Sequence, residues 1–419
     1  MRIKRHKSYH IIYFVLHPFL TLIYYLVNFK KPQAKNVMWL FTIFYGAVFA
    51  IGAESQGSDI NRYIDEIFSL NQMSLDLNGA LQYFYLSGEV DILRTVLAVL
   101  VSYFTDNGYY LIVVFGVIFG YFYSRNMWYV LDRLEGKTKS FTRILIFCLF
   151  LIVPIWFING FRFWTATHVF LFGLMPYLFE GKKKSLIWCF LTPLLIHYSF
   201  LFAIVPLGIY FLLGNRIKYY FILFIVTFFI SNININQFNN LISKYAPEAL
   251  IERSDSYRSE EKVAEFRNSE DTGTKVWYAK YYIDTLNYVL LIFLIYLYLV
   301  NKQELLKKNN RAYLRLLGFI FLYTSFANLI STIPSGGRFL YVSILLTIIF
   351  IVLMVQNYPT TKTLRKLSYF STPFLIFFLI VTVRISFYSV SIMTIFGNPI
   401  SAIFTFGDNL ALNDILKGF

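Results

Sequence analysis

Cysteine is scarce in this chain of 419 residues, which contains two, and charged residues make up only 15% of it. Cys148 and Cys189 both lie inside apolar runs, so the sequence indicates neither a disulfide framework nor a cysteine metal site. His-Glu-x-x-His, Gly-x-Ser-x-Gly and glycine-rich nucleotide-binding motifs are also missing. These absences give no support to zinc-protease, nucleotide-dependent or serine-hydrolase chemistry. We therefore expect no metal and no cofactor.

Apolar and aromatic residues are abundant instead, at 57% and 20% of the chain. A membrane-spanning helix needs about 20 apolar residues, and hydropathy places such runs near 10–29, 36–53, 109–130, 143–158, 161–179, 185–197, 200–213, 219–231, 281–300, 312–330, 338–356 and 369–389. The sequence thus predicts an all-α polytopic membrane protein with about twelve transmembrane helices. We expect residues 1–419 to form a single integral membrane domain with an outward-facing cavity.

The net charge of +15 is concentrated in alternate short loops, such as "KKPQAK", "GKKKS" and "TTKTLRK". By the positive-inside rule these loops face the cytoplasm, and nucleic acid is not expected as a partner. The intervening segments then face outward. They include residues 54–108, where we expect amphipathic or re-entrant helices, one of them over 91–104. They also include 232–280, which we expect to form a large, partly helical periplasmic loop.

The stretch "SDINRYIDE" follows the second predicted span and is unusually rich in charge. Read as a helix, it places Asp59, Arg62, Tyr63 and Glu66 on one face and apolar residues on another. The polar face would point toward the outer cavity of the protein, with the apolar face in the membrane surface. The alternative is a solvated ion pair between Arg62 and Glu66, which lie four residues apart.

Two arginines open helices that start at the outward side, in "INGFRFW" and "SGGRFLY". A cation at a helix N-terminus opposes the helix dipole, so Arg162 and Arg338 indicate an expected anion, and their guanidinium forks suit a phosphate or diphosphate. Arg384, inside the outer end of the last span, is a candidate third contact. The alternative for all three is snorkelling toward lipid headgroups.

A candidate general base is His197 in "LIHYSF", at the outer end of a short span. A neutral imidazole can accept the proton of a hydroxyl, and Asp59 is the second candidate for this role. A buried histidine more often satisfies a hydrogen bond within the core. An outward active site without a nucleotide loop requires a donor that is already activated on that side.

The elements "GSDINRY", "NGFRFWTA", "IHYSF" and "GGRFLY", in this order, resemble the EpsG-like group of Wzy polymerases. The resemblance implies a multi-pass protein of the bacterial inner (cytoplasmic) membrane that extends O-antigen or exopolysaccharide chains at the periplasmic face. Donor and acceptor would be undecaprenyl-diphosphate-linked oligosaccharides. Membrane lipids and a chain-length regulator protein would be further partners. By position, the resemblance assigns function to Asp59, Tyr63, Arg162, His197 and Arg338.

The expected reaction moves the growing glycan from undecaprenyl diphosphate to the non-reducing end of a lipid-linked repeat unit. Arg162, Arg338 and Arg384 would bind the diphosphate, and His197 or Asp59 would act as base. Sugar and acceptor contacts would come from the first outward segment, through Arg62, Tyr63, Asp65 and Glu66. No metal is needed, because arginines neutralise the leaving group.

Three other functions remain open from the residues. A C-type glycosyltransferase would use a polyprenyl-phosphate sugar, with Asp65 and Glu66 as its acidic motif. An O-antigen ligase would share the donor and the chemistry. A flippase or transporter for lipid-linked glycans would also have about a dozen spans, but with charges distributed through the bilayer depth and pseudo-repeats.

Overall fold

The computed structural model describes residues 9–52, 59–73, 79, 82–83, 91–229, 277–307, 311–331, 335–359 and 361–418. These residues form helices joined by turns, with one isolated antiparallel bridge between Ser391 and Ala411. The helices are α1 Tyr9–Leu16, α2 Pro18–Val27, α3 Ala34–Ala47, α4 Asp59–Met73, α5 Ile92–Ser102, α6 Tyr109–Leu131, α7 Ser140–Ile152, α8 Phe161–Glu180, α9 Leu186–Leu191, α10 Leu201–Leu213, α11 Ile217–Phe228, α12 Trp277–Lys307, α13 Arg311–Ile330, α14 Arg338–Asn357, α15 Lys362–Ser386, α16 Ile392–Phe396, α17 Pro399–Phe404 and α18 Leu412–Lys417.

Six helical stretches in the described ranges are long and apolar enough to cross a membrane, and the chain is a membrane protein. The most buried of them is α14, in which 89% of an 18-residue apolar window is buried inside the protein. The remaining predicted crossings form helices that are too short or are interrupted. By helix length and composition, the described residues therefore do not confirm the expected number of about twelve crossings. The first, at 10–29, is interrupted where His17 accepts a hydrogen bond from the Leu20 N–H and starts a new helix at Pro18.

The basic loops that the sequence assigns to one side do meet at one end of the bundle. Side chains there donate to backbone oxygens of neighbouring loops and helix ends, in the pairs Lys30 to Gly136, Lys139 to Tyr358, Arg315 to Phe179 and Asn215 to Leu314. We call this the basic end. Because α7 starts at the basic end and α8 returns to it, the chain must reverse direction over residues 153–160.

The opposite end, which we call the α4 end, contains α4, α5, the first turns of α6, α8 and α14, and the segment after α15. Backbone hydrogen bonds attach this last segment to the residues that follow α3, for example from the Gly52 N–H to the Tyr388 oxygen at 3.0 Å. Helix α5 stays at this end, because its Ser102 oxygen accepts a hydrogen bond from Asn71 of α4 at 2.8 Å. Its 11 residues rise about 16 Å, too short for a crossing.

The predicted outward segment 54–108 is thus partly described and contains the two helices α4 and α5. Helix α5, Ile92–Ser102, lies within the predicted helix over 91–104. The predicted large loop at 232–280 lies outside the described residues except for 277–280, where α12 begins.

Glycines allow α3 and α6 to pack closely. A Cβ added at Gly116 would lie 2.7 Å from the Thr42 backbone oxygen, and one at Gly46 would lie 2.8 Å from the Ile112 oxygen. Helices inside a membrane depend on such close packing, because lipid tails are as apolar as the helices themselves. This contact fixes the end of α3, from which α4 follows, relative to α6.

Candidate functional site

A buried carboxylate lies at the centre of the α4 end. The side chain of Asp91 is 0% exposed, and three donors from distant parts of the chain reach it. Arg162 Nη1 and His197 Nδ1 both contact Oδ2, at 3.0 and 2.9 Å, while the Tyr198 N–H donates to Oδ1 at 3.1 Å. Asp91 therefore joins the start of α5 to the start of α8 and to the turn before α10.

The local fold explains how His197 reaches this carboxylate. A short π-helical turn, Thr192–Ile196, follows α9 and contains Pro193, which lacks an N–H and so cannot continue an ordinary helix. His197 then adopts extended backbone, with φ −156° and ψ 112°, before a new helical turn starts at Tyr198. Such π-turns often occur at functional sites. This break directs the imidazole sideways toward Asp91.

The charge state of Asp91 determines the proton position on His197. Burial raises the pKa of Asp91, but the hydrogen bond from His197, the nearby Arg162 guanidinium and the Tyr198 N–H lower it by more, so its pKa lies below the usual value. An ionised carboxylate only accepts hydrogen bonds, so Nδ1 must be the donor. In the described part of the chain, Nε2 of His197 has no hydrogen-bond partner. In the neutral ring it is therefore the basic nitrogen.

Arg162 lies among carboxylates of the protein itself. Besides Asp91, its Nη2 is 3.9 Å from Asp59 of α4, and its Cζ lies 6.0 Å from the ring centroid of Tyr63. The anion expected at the N-terminus of α8 is thus supplied in this structure by Asp91 and Asp59. A phosphate bound here would have to share Arg162 with these carboxylates or displace one of them.

Arg338 reaches the same place through Phe163. Its Cζ lies 5.9 Å from the Phe163 ring centroid, and the His197 ring lies 5.9 Å from that centroid on an edge-to-face contact. Phe163 directly follows Arg162 in α8. The turn before Arg338 is tight, with Ser335 in the left-handed region at φ 63°. The structure therefore brings Arg338 and His197 against one aromatic ring and leaves Arg338 exposed. Arg162 joins them through Asp91, whose Oδ2 it shares with His197.

Arg384, the third predicted diphosphate contact, makes different contacts. Its Nη2 donates to Asn413 Oδ1 at 2.9 Å, and its Cζ lies 5.6 Å from the ring centroids of Phe387 and Tyr388. These partners belong to the segment after α15. The contacts described for Arg384 thus connect it to the C-terminal helices and not to the group around Phe163.

Helix α4 turns the predicted polar face toward this group, with pairings that differ from those considered in the sequence. Arg62 pairs with Asp59, and not with Glu66. Glu66 instead pairs with the buried Arg94 of α5 and accepts a hydrogen bond from the Tyr83 hydroxyl at 2.9 Å. Its carboxylate is therefore occupied by protein donors.

The ring of Tyr63 lies between two cations at this face. The Cζ atoms of Arg94 and Arg162 are 5.1 and 6.0 Å from its centroid. Burial raises the pKa of Tyr63 more than the two arginines lower it, so the phenol stays neutral at physiological pH. A neutral phenol can donate a hydrogen bond to a sugar or phosphate oxygen.

Asp65 lies on another face of α4 and lines an open cleft of about 440 Å³. The cleft is formed with the loop before α6 and the turn before α18, and its further lining includes Asp106, Tyr109, Phe406 and Asp408. Carboxylates that accept hydrogen bonds from sugar hydroxyls, beside aromatic rings that cover the apolar faces of sugars, are a suitable lining for sugar. No group of three or more metal-ligating side chains with suitable geometry occurs in the described ranges.

These features define a class: a polytopic helical membrane protein with an arginine–histidine–carboxylate group at one end. The chain matches the EpsG family over residues 37–396 and belongs to that family. The resemblance expected from the sequence is thereby confirmed. Neither the curated proteins nor the solved structures contain a match to the chain.

Sequence reasoning missed the role of two residues, Asp91 and Arg94. Both are nearly fully buried, at 1% and 4% exposure. Charged residues are rarely buried to this extent unless they are paired, as these two are. The available signal was a pair of opposite charges at the start of a short apolar run. An Asp at that position is typical of a helix N-cap. Its local pattern does not indicate that it binds residues far along the chain.

Proposed function

We propose that this EpsG-family protein is a polysaccharide polymerase of the bacterial cytoplasmic membrane. It transfers the growing glycan from undecaprenyl diphosphate to a hydroxyl at the non-reducing end of a lipid-linked repeat unit. The α4 end would face the periplasm, in agreement with the basic loops at the other end. The observation that carries the proposal is that His197 is in contact with Phe163, as is Arg338, and shares the Asp91 carboxylate with Arg162.

In the proposed step, the acceptor hydroxyl attacks the anomeric carbon of the donor sugar. The bond between that carbon and the diphosphate oxygen breaks, and the lipid diphosphate leaves with the electron pair. The hydroxyl proton moves to His197 Nε2. Negative charge therefore grows on the diphosphate in the transition state, where fixed cationic donors stabilise it most.

Arg338 is the better placed of the two arginines to meet the donor. It is exposed at the start of α14, where solvent and a bound donor can reach the guanidinium, and Arg162 is partly buried between Asp91 and Asp59. The first turn of α14 adds backbone N–H groups and a positive dipole end, which also favour an anion. We assign Arg338 as the main diphosphate contact and Arg162 as a contact that exchanges a carboxylate oxygen for a phosphate oxygen.

His197 is favoured over Asp59 as the base. Asp59 is paired with Arg62 and lies 3.9 Å from Arg162, so its oxygens already face cations, which weaken a carboxylate as a base. His197 keeps Nε2 for the substrate. Asp59 would instead hold the two arginines of this face in position.

The acceptor sugars would lie in the cleft beside α4. Asp65 lines this cleft, whereas Glu66 is engaged by Arg94 and Tyr83. We therefore keep Asp65 as a sugar contact and no longer assign this role to Glu66, with Tyr63 and Arg62 nearer the reacting group. Arg384 is assigned to the attachment of the C-terminal segment through Asn413.

The test is to incubate purified protein with a bactoprenol-linked repeat unit, in the presence of a chelator, and to measure the products by mass. A ladder of chain lengths is expected. Addition of a single sugar in a parallel reaction with a polyprenyl-phosphate sugar, or strict metal dependence, would favour a C-type glycosyltransferase. Transfer of a supplied finished lipid-linked chain to a lipid A core acceptor, without a ladder, would identify a ligase, and absence of any product would favour a transporter.

The base is tested in the same assay. His197→Gln should slow transfer by about 10²-fold or more without weakening donor binding, because the base acts in the chemical step. His10→Gln in α1 is a matched control that should retain the wild-type rate. An unchanged turnover in the His197 variant would remove this residue as the base.

A further inference from the structure

We infer that Asp91 is the positioning residue for His197 and for Arg162: it fixes the imidazole with Nε2 toward the acceptor and holds the arginine beside it. The positional claim is geometric, whereas its consequence for the rate rests on the proposed function. A simpler reading would make Asp91 an ordinary buried ion pair. Three observations favour the more specific role.

The first observation is that Asp91 does not cap its own helix. It occupies the N-cap position of α5, where an Asp side chain normally accepts from the N–H groups of the first turn. Here it makes no such bond. Both oxygens are instead directed to the segment that carries His197 and Tyr198. Asp91 thus contacts a distant segment of the chain in place of the N–H groups of its own helix.

The second observation is that Asp91 holds His197 at two points. Oδ2 accepts from the ring Nδ1 at 2.9 Å, and Oδ1 accepts from the following backbone N–H at 3.1 Å. Two contacts from one carboxylate fix both the backbone and the ring orientation, which a single ion pair would not do. Because an ionised carboxylate only accepts, the same geometry fixes the proton on Nδ1.

The third observation is that Arg162 and His197 donate to the same oxygen. Their donor distances are 3.0 and 2.9 Å, so the two nitrogens lie within about 6 Å of each other. In glycosyl transfer, the leaving diphosphate and the attacking hydroxyl meet at one sugar carbon. A carboxylate that holds the base and a cation at this spacing can therefore orient both partners of one reaction.

The proton position can be measured without any change to Asp91. We propose ¹⁵N NMR of the full-length protein labelled at histidine, with the His197 resonances identified by their loss in His197→Gln. The expected spectrum shows a protonated Nδ1 and a non-protonated Nε2. A ring with the proton on Nε2, or one exchanging between both tautomers, would overturn the inference.

The consequence for catalysis is tested with Asp91→Asn. The new amide can donate to Nδ1, which would move the ring proton to Nε2 and abolish the base. We expect kcat to fall by about 10²-fold or more, while the donor KM does not rise, because Arg162 loses a competing carboxylate. Asp132→Asn, an exposed substitution at the basic end, is the matched control and should match wild type.

A double variant separates positioning from a merely structural role. If Asp91 acts through His197, Asp91→Asn should cause little further loss in a His197→Gln background. Losses that multiply, or a raised donor KM with unchanged kcat, would overturn the inference. If wild-type protein forms no polymer, the proposed function fails, but the NMR experiment still tests whether Asp91 fixes the proton on His197. The NMR experiment uses no Asp91 variant, so it also gives this result if Asp91→Asn does not fold.

Discussion

Replacement of Arg338 by alanine is the most direct test of diphosphate binding. The residue opens α14 after a tight turn and is exposed, with its Cζ 5.9 Å from the Phe163 ring that also contacts His197. Removal of an exposed side chain changes folding stability by about 0.5 kcal/mol or less. Unfolding would therefore not explain a large loss of chain-extension rate, and such a loss would report on the reaction itself.

The size of the effect follows from the chemistry. One preorganised donor aimed at developing negative charge contributes about 3 kcal/mol to the transition state, which corresponds to about 10²-fold in rate. Arg338→Ala should lower kcat by this factor. Arg338→Lys should recover part of the rate, because it restores the charge but not the two-pronged hydrogen bonding of a guanidinium.

The assay is extension of a lipid-linked repeat unit by purified protein, measured as initial rate and as chain-length distribution. Arg365→Ala, an exposed arginine in the first turn of α15 at the basic end, is the matched control. It should give a wild-type ladder. A wild-type rate and ladder from Arg338→Ala would refute the diphosphate site at the start of α14.

Three further predictions concern stability. Arg162→Ala should abolish long chains and also lower the free energy of unfolding by about 3 kcal/mol, because the buried Asp91 loses a cation; an unchanged thermal unfolding would contradict this. Because the pKa of Asp91 is lowered in the fold, its stabilisation should be complete above about pH 4 and lost as pH falls further. Unfolding measured against pH should thus show that wild type and Asp91→Asn converge only in acid. Gly116→Ile should destabilise the protein by about 1–3 kcal/mol through contact with Thr42, whereas Gly208→Ile, with open space around it, should not.

The helices of this protein were largely predictable, since apolar runs and basic loops reflect local composition. Helices α6, α8 and α14 begin and end within a few residues of the predicted spans. The breaks were harder to place. The first apolar run is divided at His17 because a hydrogen bond from the Leu20 N–H starts a second helix, and the length of the run gives no indication of this.

The candidate site was predictable only in part. Arg162, Arg338 and His197 stood out because charged or titratable groups are rare at helix ends in an apolar chain. The structure connects them through the Phe163 ring and the Asp91 carboxylate. Arg384 met the same criterion but contacts Asn413 instead. The same local argument therefore selected residues with different tertiary contacts.

The sequence by itself determined a helical membrane protein with its basic loops on one side and unusual charges on the other. This follows because the free energy of placing a charge or an unpaired peptide group in lipid depends on the residues of each segment alone, and not on its neighbours. Only the tertiary structure decided that Asp91 binds Arg162 and His197, which lie 71 and 106 positions away. Such contacts depend on how helices pack against one another, and the pattern within any single helix carries little information about its neighbours.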